Sequence, residues 1–136
     1  MLDNPWRTTG LRVWLDDERV MPTGFDLHVK TGEALTELLR HDHVSHMSLD
    51  HDLGQPTTGY DVMNTLERLV MTEPHVVGRP VYILVHSMNP AGALAMTKVA
   101  NRLYDWWETV GQADAGWVCR HTPYGSDAFN RVVYAT

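Results

Sequence analysis

The 136-residue sequence has one cysteine, only two lysines (Lys30 and Lys98) and no long apolar run, and each shortage removes a class of protein. A lone Cys119 forms no internal disulfide and leaves no cysteine-based zinc site. The longest apolar stretches, such as Val81 to Val85, fall far short of the roughly 18 residues that cross a bilayer. The start MLDNPWR lacks a basic and then apolar signal region, so a cytoplasmic protein without a membrane partner is expected. With 11 Lys+Arg against 17 Asp+Glu, the formal net charge of −6 argues against a broad phosphate-tracking surface for duplex DNA. A nucleotide ligand is therefore expected to be small, or to be met with the help of a cation. Repeats, low-complexity tracts and long linkers are also missing. The 43% hydrophobic and 21% charged shares are those of a globular chain, read here as a single domain over 1–136.

What is present is a regular alternation. Leu11 to Leu15 (LRVWL) reads as a strand that stops at Asp16, Asp17 and Glu18, and Phe25 to Lys30 as an edge strand. Thr31 caps a helix over Gly32 to Arg40, whose Leu35, Leu38 and Leu39 share a face. His46 to Leu49 is a second strand ending in acids, at Asp50-His51-Asp52. Thr58 caps a helix from Tyr60 to Met71, with Val62, Leu66, Leu69 and Val70 at helical spacing. Val81 to Val85 is apolar at every position, as in a central parallel strand covered on both faces, and gives way to His86-Ser87-Met88-Asn89. Asn89 with Pro90 opens a helix reaching about Val110. Trp117 to Cys119 reads as a last strand before Arg120 and His121, and Asp127 to Tyr134 fits a strand or a short helix equally.

Strands alternating with helices predict a three-layer α/β/α fold around an open, mainly parallel sheet, whose ligand site lies beyond the carboxyl ends of the strands. Four strand exits would then gather Asp16-Asp17, Asp50-His51-Asp52, His86 to Asn89 and Arg120-His121. Facing acidic clusters need a compensating charge, and a hard divalent cation, Mg2+ or Mn2+, suits Asp16, Asp17 and Asp50 or Asp52 better than zinc does. Solvent-facing caps are the plainer alternative for any one of these acids. His51 and His86 each follow a strand directly. An imidazole exchanges protons near neutrality, so one can take a proton from water while the other protonates a departing oxygen. A phosphodiester or cyclic phosphate is the substrate such a set suits. Ser87 and Asn89 precede a helix N-terminus, where backbone N–H groups favour an anion; Arg19 and His121 are added as substrate contacts. The group His41, His43 and His46 reads as a solvated loop, since its spacing fits no helix-borne zinc pattern.

The runs VWLDDER, SLDHDLGQPTTGYDV and YILVHSMNP resemble the receiver domain of two-component signalling, with its paired acids after the first strand and its phosphorylated aspartate after the third. Two departures stand out: Arg120 and His121 occupy the place of the receiver lysine, and His86 is foreign to the receiver pattern. The LDHDLG and HSxNP signatures are instead similar to the divergent cyclic-phosphate-processing receiver-like domains, over about Leu11 to Asn89. That resemblance implies a receiver-like (flavodoxin-like) fold reused as a metal-assisted phosphoesterase acting on cyclic nucleotides or cyclic-phosphate-ended RNA. It carries Asp16, Asp17, Asp50 and Asp52 into the metal role and His51 and His86 into acid–base work, with Ser87 and Asn89 in substrate binding. Two rivals are a signalling module phosphorylated on Asp50 or Asp52 and a non-catalytic cyclic-nucleotide sponge.

Overall fold

The structure, a computed structural model, describes residues 10–114 and 116–133. Its elements are β1 (Leu11–Leu15), β2 (Leu27–Val29), α1 (Gly32–His41), β3 (Val44–Leu49), α2 (Gly59–Thr72), β4 (Tyr82–Val85), α3 (Pro90–Thr109) and α4 (Asp127–Val133). The four strands form one parallel sheet in the order β2-β1-β3-β4. This is the flavodoxin-like order without a full fifth strand.

The two-residue period of the strands sorts side chains onto two faces. Val13, Leu15, Met47, Leu49, Ile83 and Val85 enter the larger core with Leu35 and Leu39 of α1, Val62, Met63, Leu66 and Leu69 of α2, and Met96, Val99 and Leu103 of α3. Trp14 and Leu84 point the other way, into a smaller cluster closed by Phe25 and by Phe129 and Val133 of α4. The α/β/α layering predicted from sequence is thus present, with three helices on one face and one short helix on the other. Burying each large apolar side chain contributes roughly 1.5–3 kcal/mol, which favours apolar residues on doubly covered strands; β3 departs from this with buried Ser45, His46 and Ser48.

The helix starts follow local chemistry. Thr31 Oγ1 accepts the Ala34 N–H at 3.2 Å. Thr58 and Asp61 form a reciprocal capping box: Thr58 Oγ1 accepts the Asp61 N–H at 3.3 Å and Asp61 Oδ2 accepts the Thr58 N–H at 2.8 Å. Asn89 Oδ1 accepts the Gly92 N–H at 3.0 Å, with Pro90 at the first helical position.

Three expectations are corrected. The edge strand is confined to Leu27–Val29, and β3 begins at Val44 rather than His46. Trp117 to Cys119 is not a strand: the Cys119 N–H donates to Asn101 Oδ1 at 2.7 Å and Asn101 Nδ2 donates back to the Cys119 carbonyl at 3.3 Å. An asparagine of α3 thus does the work of a neighbouring strand, and the fifth position of the sheet is reduced to a single bridge between Val85 and His121. The tail is helical over Asp127–Val133, with Tyr134 outside the described residues. No helix among the described residues is long and apolar enough to cross a membrane.

Candidate active site

Asp16, Asp50 and His86 each follow the last residue of a strand, β1, β3 and β4, so the parallel register brings them to one edge. Asp16, Asp17 and Asp50 each present an oxygen within 4.8 Å of the others. Of the three, Asp17 and Asp50 line an open pocket of about 440 Å3, together with Glu18, Arg19, Asp52, Gly54, Met88, Asn89 and Pro90. Two other pockets, of about 390 Å3 each, lie around His43 and Arg79 at the opposite ends of β3 and β4 and contain none of these groups.

Asp16 is wholly buried. Its Oδ1 accepts the N–H groups of Glu18 at 2.8 Å and Arg19 at 2.9 Å, and its Oδ2 accepts from His86 Nε2 at 2.9 Å. Burial pushes the carboxyl up, but the bonds from His86, Arg19 and Glu18 outweigh it and hold it at about 2. Asp50, also buried, is raised, first by burial and then by the Asp16 charge. One Arg19 Nη1 lies 3.6 Å from Asp16 Oδ2 and 3.6 Å from Asp50 Oδ2, with the guanidinium 5.5 Å from the centre of the Tyr124 ring. The cation beside these acids therefore comes from the loop after β1. Arg120, in the stretch where a receiver lysine would stand, is exposed.

The two histidines differ. His51 is partly exposed; its Nδ1 lies 2.8 Å from Asp52 Oδ1, and Asn89 Nδ2 donates to Asp52 Oδ2 at 3.3 Å. Its ring rests on Gly92, where a Cβ would fall 2.4 Å from His51 Cγ, so only glycine lets α3 approach this closely. Gly59 plays the same part for Asp50, whose carbonyl oxygen would stand 2.1 Å from a Cβ there. His86 has no exposed surface. Its ring stacks on Trp14 with centroids 3.9 Å apart and planes 6° apart, its Nε2 binds Asp16, and its Nδ1 lies 2.7 Å from Ser48 Oγ. Burial lowers its proton affinity against the opposing pull of Asp16.

The residues predicted from sequence thus separate. Asp16, Asp17 and Asp50 converge, whereas Asp52 is exposed and pairs with His51 and Asn89 instead of joining the cluster. Arg19 and Asn89 line the pocket. Ser87 is buried, and its Oγ accepts the Asn89 N–H at 3.0 Å. His121 donates from Nε2 to the Ser87 carbonyl, so these two brace the turn into α3 rather than face the pocket. The expected anion site at that helix start is correspondingly reduced: Pro90 has no N–H and the Gly92 N–H is taken by Asn89. His46 is buried in β3 rather than in a loop, with Nδ1 2.7 Å from Ser45 Oγ.

Sequence reasoning missed Trp14, Ser48 and His28, whose Nε2 donates to the Asp16 carbonyl at 2.7 Å. The signal for two of them was parity. Trp14 stands two residues before Asp16, and Ser48 two before Asp50, so each shares the sheet face of the group that follows its strand.

A cation is a chemical fit to this site. The trio is a hard oxygen donor set, and Asp50 is held above its ordinary carboxylate range by burial and by Asp16, a penalty that a divalent ion would remove. No curated protein and no solved structure matches this sequence. A family model does: the Cyclic-phosphate processing Receiver domain, over residues 11–102. With the β2-β1-β3-β4 sheet and the acidic trio at its carboxyl edge, that match over more than half of the chain means that this protein belongs to the cyclic-phosphate processing receiver domain family.

Proposed function

We propose that the chain is a metal-assisted phosphoesterase that opens a cyclic phosphate, on a nucleotide or at an RNA end. The observation that carries the reading is the placement of His51, between Asp50 and Asp52 in the chain and paired with Asp52 and Asn89; Asp50, Asp52 and Asn89 all line the pocket with Asp17 of the acidic trio. Asp16, Asp17 and Asp50 would hold Mg2+ or Mn2+, which supplies a Lewis acid for the phosphoryl oxygens.

The chain's own residues do the rest. An ionised Asp52 accepts from His51 Nδ1–H and leaves Nε2 as the nitrogen that takes a proton. Water attacks phosphorus as His51 Nε2 accepts its proton; the ring P–O bond breaks, and the same proton returns to the leaving hydroxyl oxygen, giving a phosphomonoester. Arg19, on the pocket wall, can turn its guanidinium from the carboxylates to the phosphate. His86 is sealed from the pocket and is assigned no proton exchange with substrate; its role is to hold Asp16.

The test is incubation with 2′,3′-cyclic and 3′,5′-cyclic nucleotides, with and without Mg2+ or Mn2+, resolved by chromatography. Ring-opened product that depends on the cation is expected. Intact substrate in every arm overturns the reading. A second reading, phosphorylation of Asp50, draws on its position after β3 within the acidic trio. A stable acyl phosphate formed from a small phosphodonor, without cyclic-phosphate hydrolysis, would select it.

A further inference from the structure

Ser48 is a wholly buried hydroxyl in a strand whose six residues are all buried. Burying a hydroxyl costs free energy unless it is hydrogen-bonded, and its partner here is His86 Nδ1 at 2.7 Å. The direction of that bond follows from the other end of the ring. An ionised carboxylate only accepts, so the proton between His86 Nε2 and Asp16 Oδ2 sits on nitrogen. In a neutral imidazole Nδ1 is then the acceptor, and the Ser48 hydroxyl donates. Trp14, parallel to the ring at 3.9 Å, prevents the ring from tipping out of this line.

Resting on the reading of Asp16, Asp17 and Asp50 as the cation site, we propose that Ser48, His86 and Trp14 form a buried positioning device that fixes the Asp16 carboxylate for the divalent ion. Asp16 sets the ring tautomer, Ser48 meets the Nδ1 lone pair and holds the ring against rotation, His86 delivers the N–H, and Trp14 holds the plane. The Glu18 and Arg19 N–H groups fix the second oxygen of the same carboxylate, so its rotation is blocked from both sides. Outer partners of metal ligands act in this way, and losing one costs roughly 10–100-fold in affinity. None of these residues touches substrate.

The test measures Mn2+ affinity by calorimetry in wild type, His86→Phe, His86→Gln and Ser48→Ala, beside metal-free thermal unfolding and 15N NMR of the His86 ring. His86→Phe keeps the stack on Trp14 but has no N–H, and a roughly 10–100-fold weaker affinity is expected. Glutamine carries an N–H near the Nε2 position and should recover most of that loss, which a purely structural role would not produce. Ser48→Ala leaves Nδ1 without its donor, and should weaken binding in the same direction and shift the Nδ1 signal of the ring. A folded His86→Phe with wild-type affinity overturns the proposal. Where His86→Phe fails to fold, Ser48→Ala with unchanged affinity and unchanged ring signals does so. A wild-type chain that binds Mn2+ no better than Asp16→Asn overturns the cation site itself, and the device with it.

Discussion

The Asp16 carboxylate and the His86 imidazole, 70 residues apart in the chain, meet at 2.9 Å with neither side chain exposed. A buried carboxylate bound to a buried ring is a charge kept in place by its partners. It ties the first strand exit to the last and makes the acidic edge sensitive to both.

That pair has a pH signature. His86 is depressed in the folded chain, so below its ordinary value of 6.5 the unfolded chain binds a proton that the native state refuses, and stability falls as the pH drops. The Asp16 contribution is present above its ordinary 3.8 and is lost as the pH falls through about 2. Asp50 acts in the opposite sense, since its raised carboxyl takes a proton earlier in the native state. Metal-free protein should therefore lose melting temperature between about pH 7 and 5. The same scan on His86→Gln should be flatter over that range. Equal slopes for the two would remove His86 from the account.

Asp50 carries a charge that burial and Asp16 disfavour. Asp50→Asn should raise the metal-free melting temperature by a few degrees, about 1 kcal/mol. It should also abolish the stabilisation that Mg2+ or Mn2+ gives the wild type. Differential scanning fluorimetry with and without a chelator reads both effects.

Gly92 touches the His51 ring so closely that a methyl group cannot enter without moving it. Gly92→Ala is expected to lower cyclic-phosphate hydrolysis at least about 100-fold, a loss comparable to that of a positioned acid–base group. Mn2+ affinity should stay near wild type, because the acidic trio does not contact α3 through this residue. Affinity and turnover falling in step would instead mean that the whole edge had shifted.

The methyl group of Gly59→Ala would press on backbone, the Asp50 carbonyl at 2.1 Å. A cost of about 1–3 kcal/mol in stability is expected from such overpacking. Thr58→Ala, one residue earlier, removes the capping box and should cost about 1 kcal/mol. Urea unfolding separates them further: Mn2+ affinity should fall in the glycine variant, which displaces Asp50, and hold in the threonine one.

Much of the scaffold was legible because apolar runs, caps and the acids at strand exits are local signals. Thr31, Thr58 and Asn89 announced their helices, and the five apolar residues from Val81 to Val85 announced a doubly covered strand, of which Tyr82–Val85 pair. The roles of Asp50 and Asp52 were harder to separate, because two residues in one exit loop differ only in which way the backbone turns them. The sealing of His86 depends on Trp14 and Ser48, which arrive from two other strands. The replacement of a strand by Asn101 depends on a helix 18 residues upstream. The last two are contacts between residues far apart in the chain, which local pattern does not report.

The reduction of the fifth sheet position to one bridge, Val85 to His121, has a mechanical consequence. The chain beyond α3 returns to the sheet at β4 through the Thr122 N–H to Val85, the Tyr124 N–H to His86 and the His121 ring to Ser87. All three fastenings land on the short stretch that carries the sealed imidazole, while Phe129 walls the cluster around Trp14. Detaching the C-terminal segment would therefore wet the ring and slacken the grip on the first carboxylate, which couples the stability of this segment to that of the acidic edge.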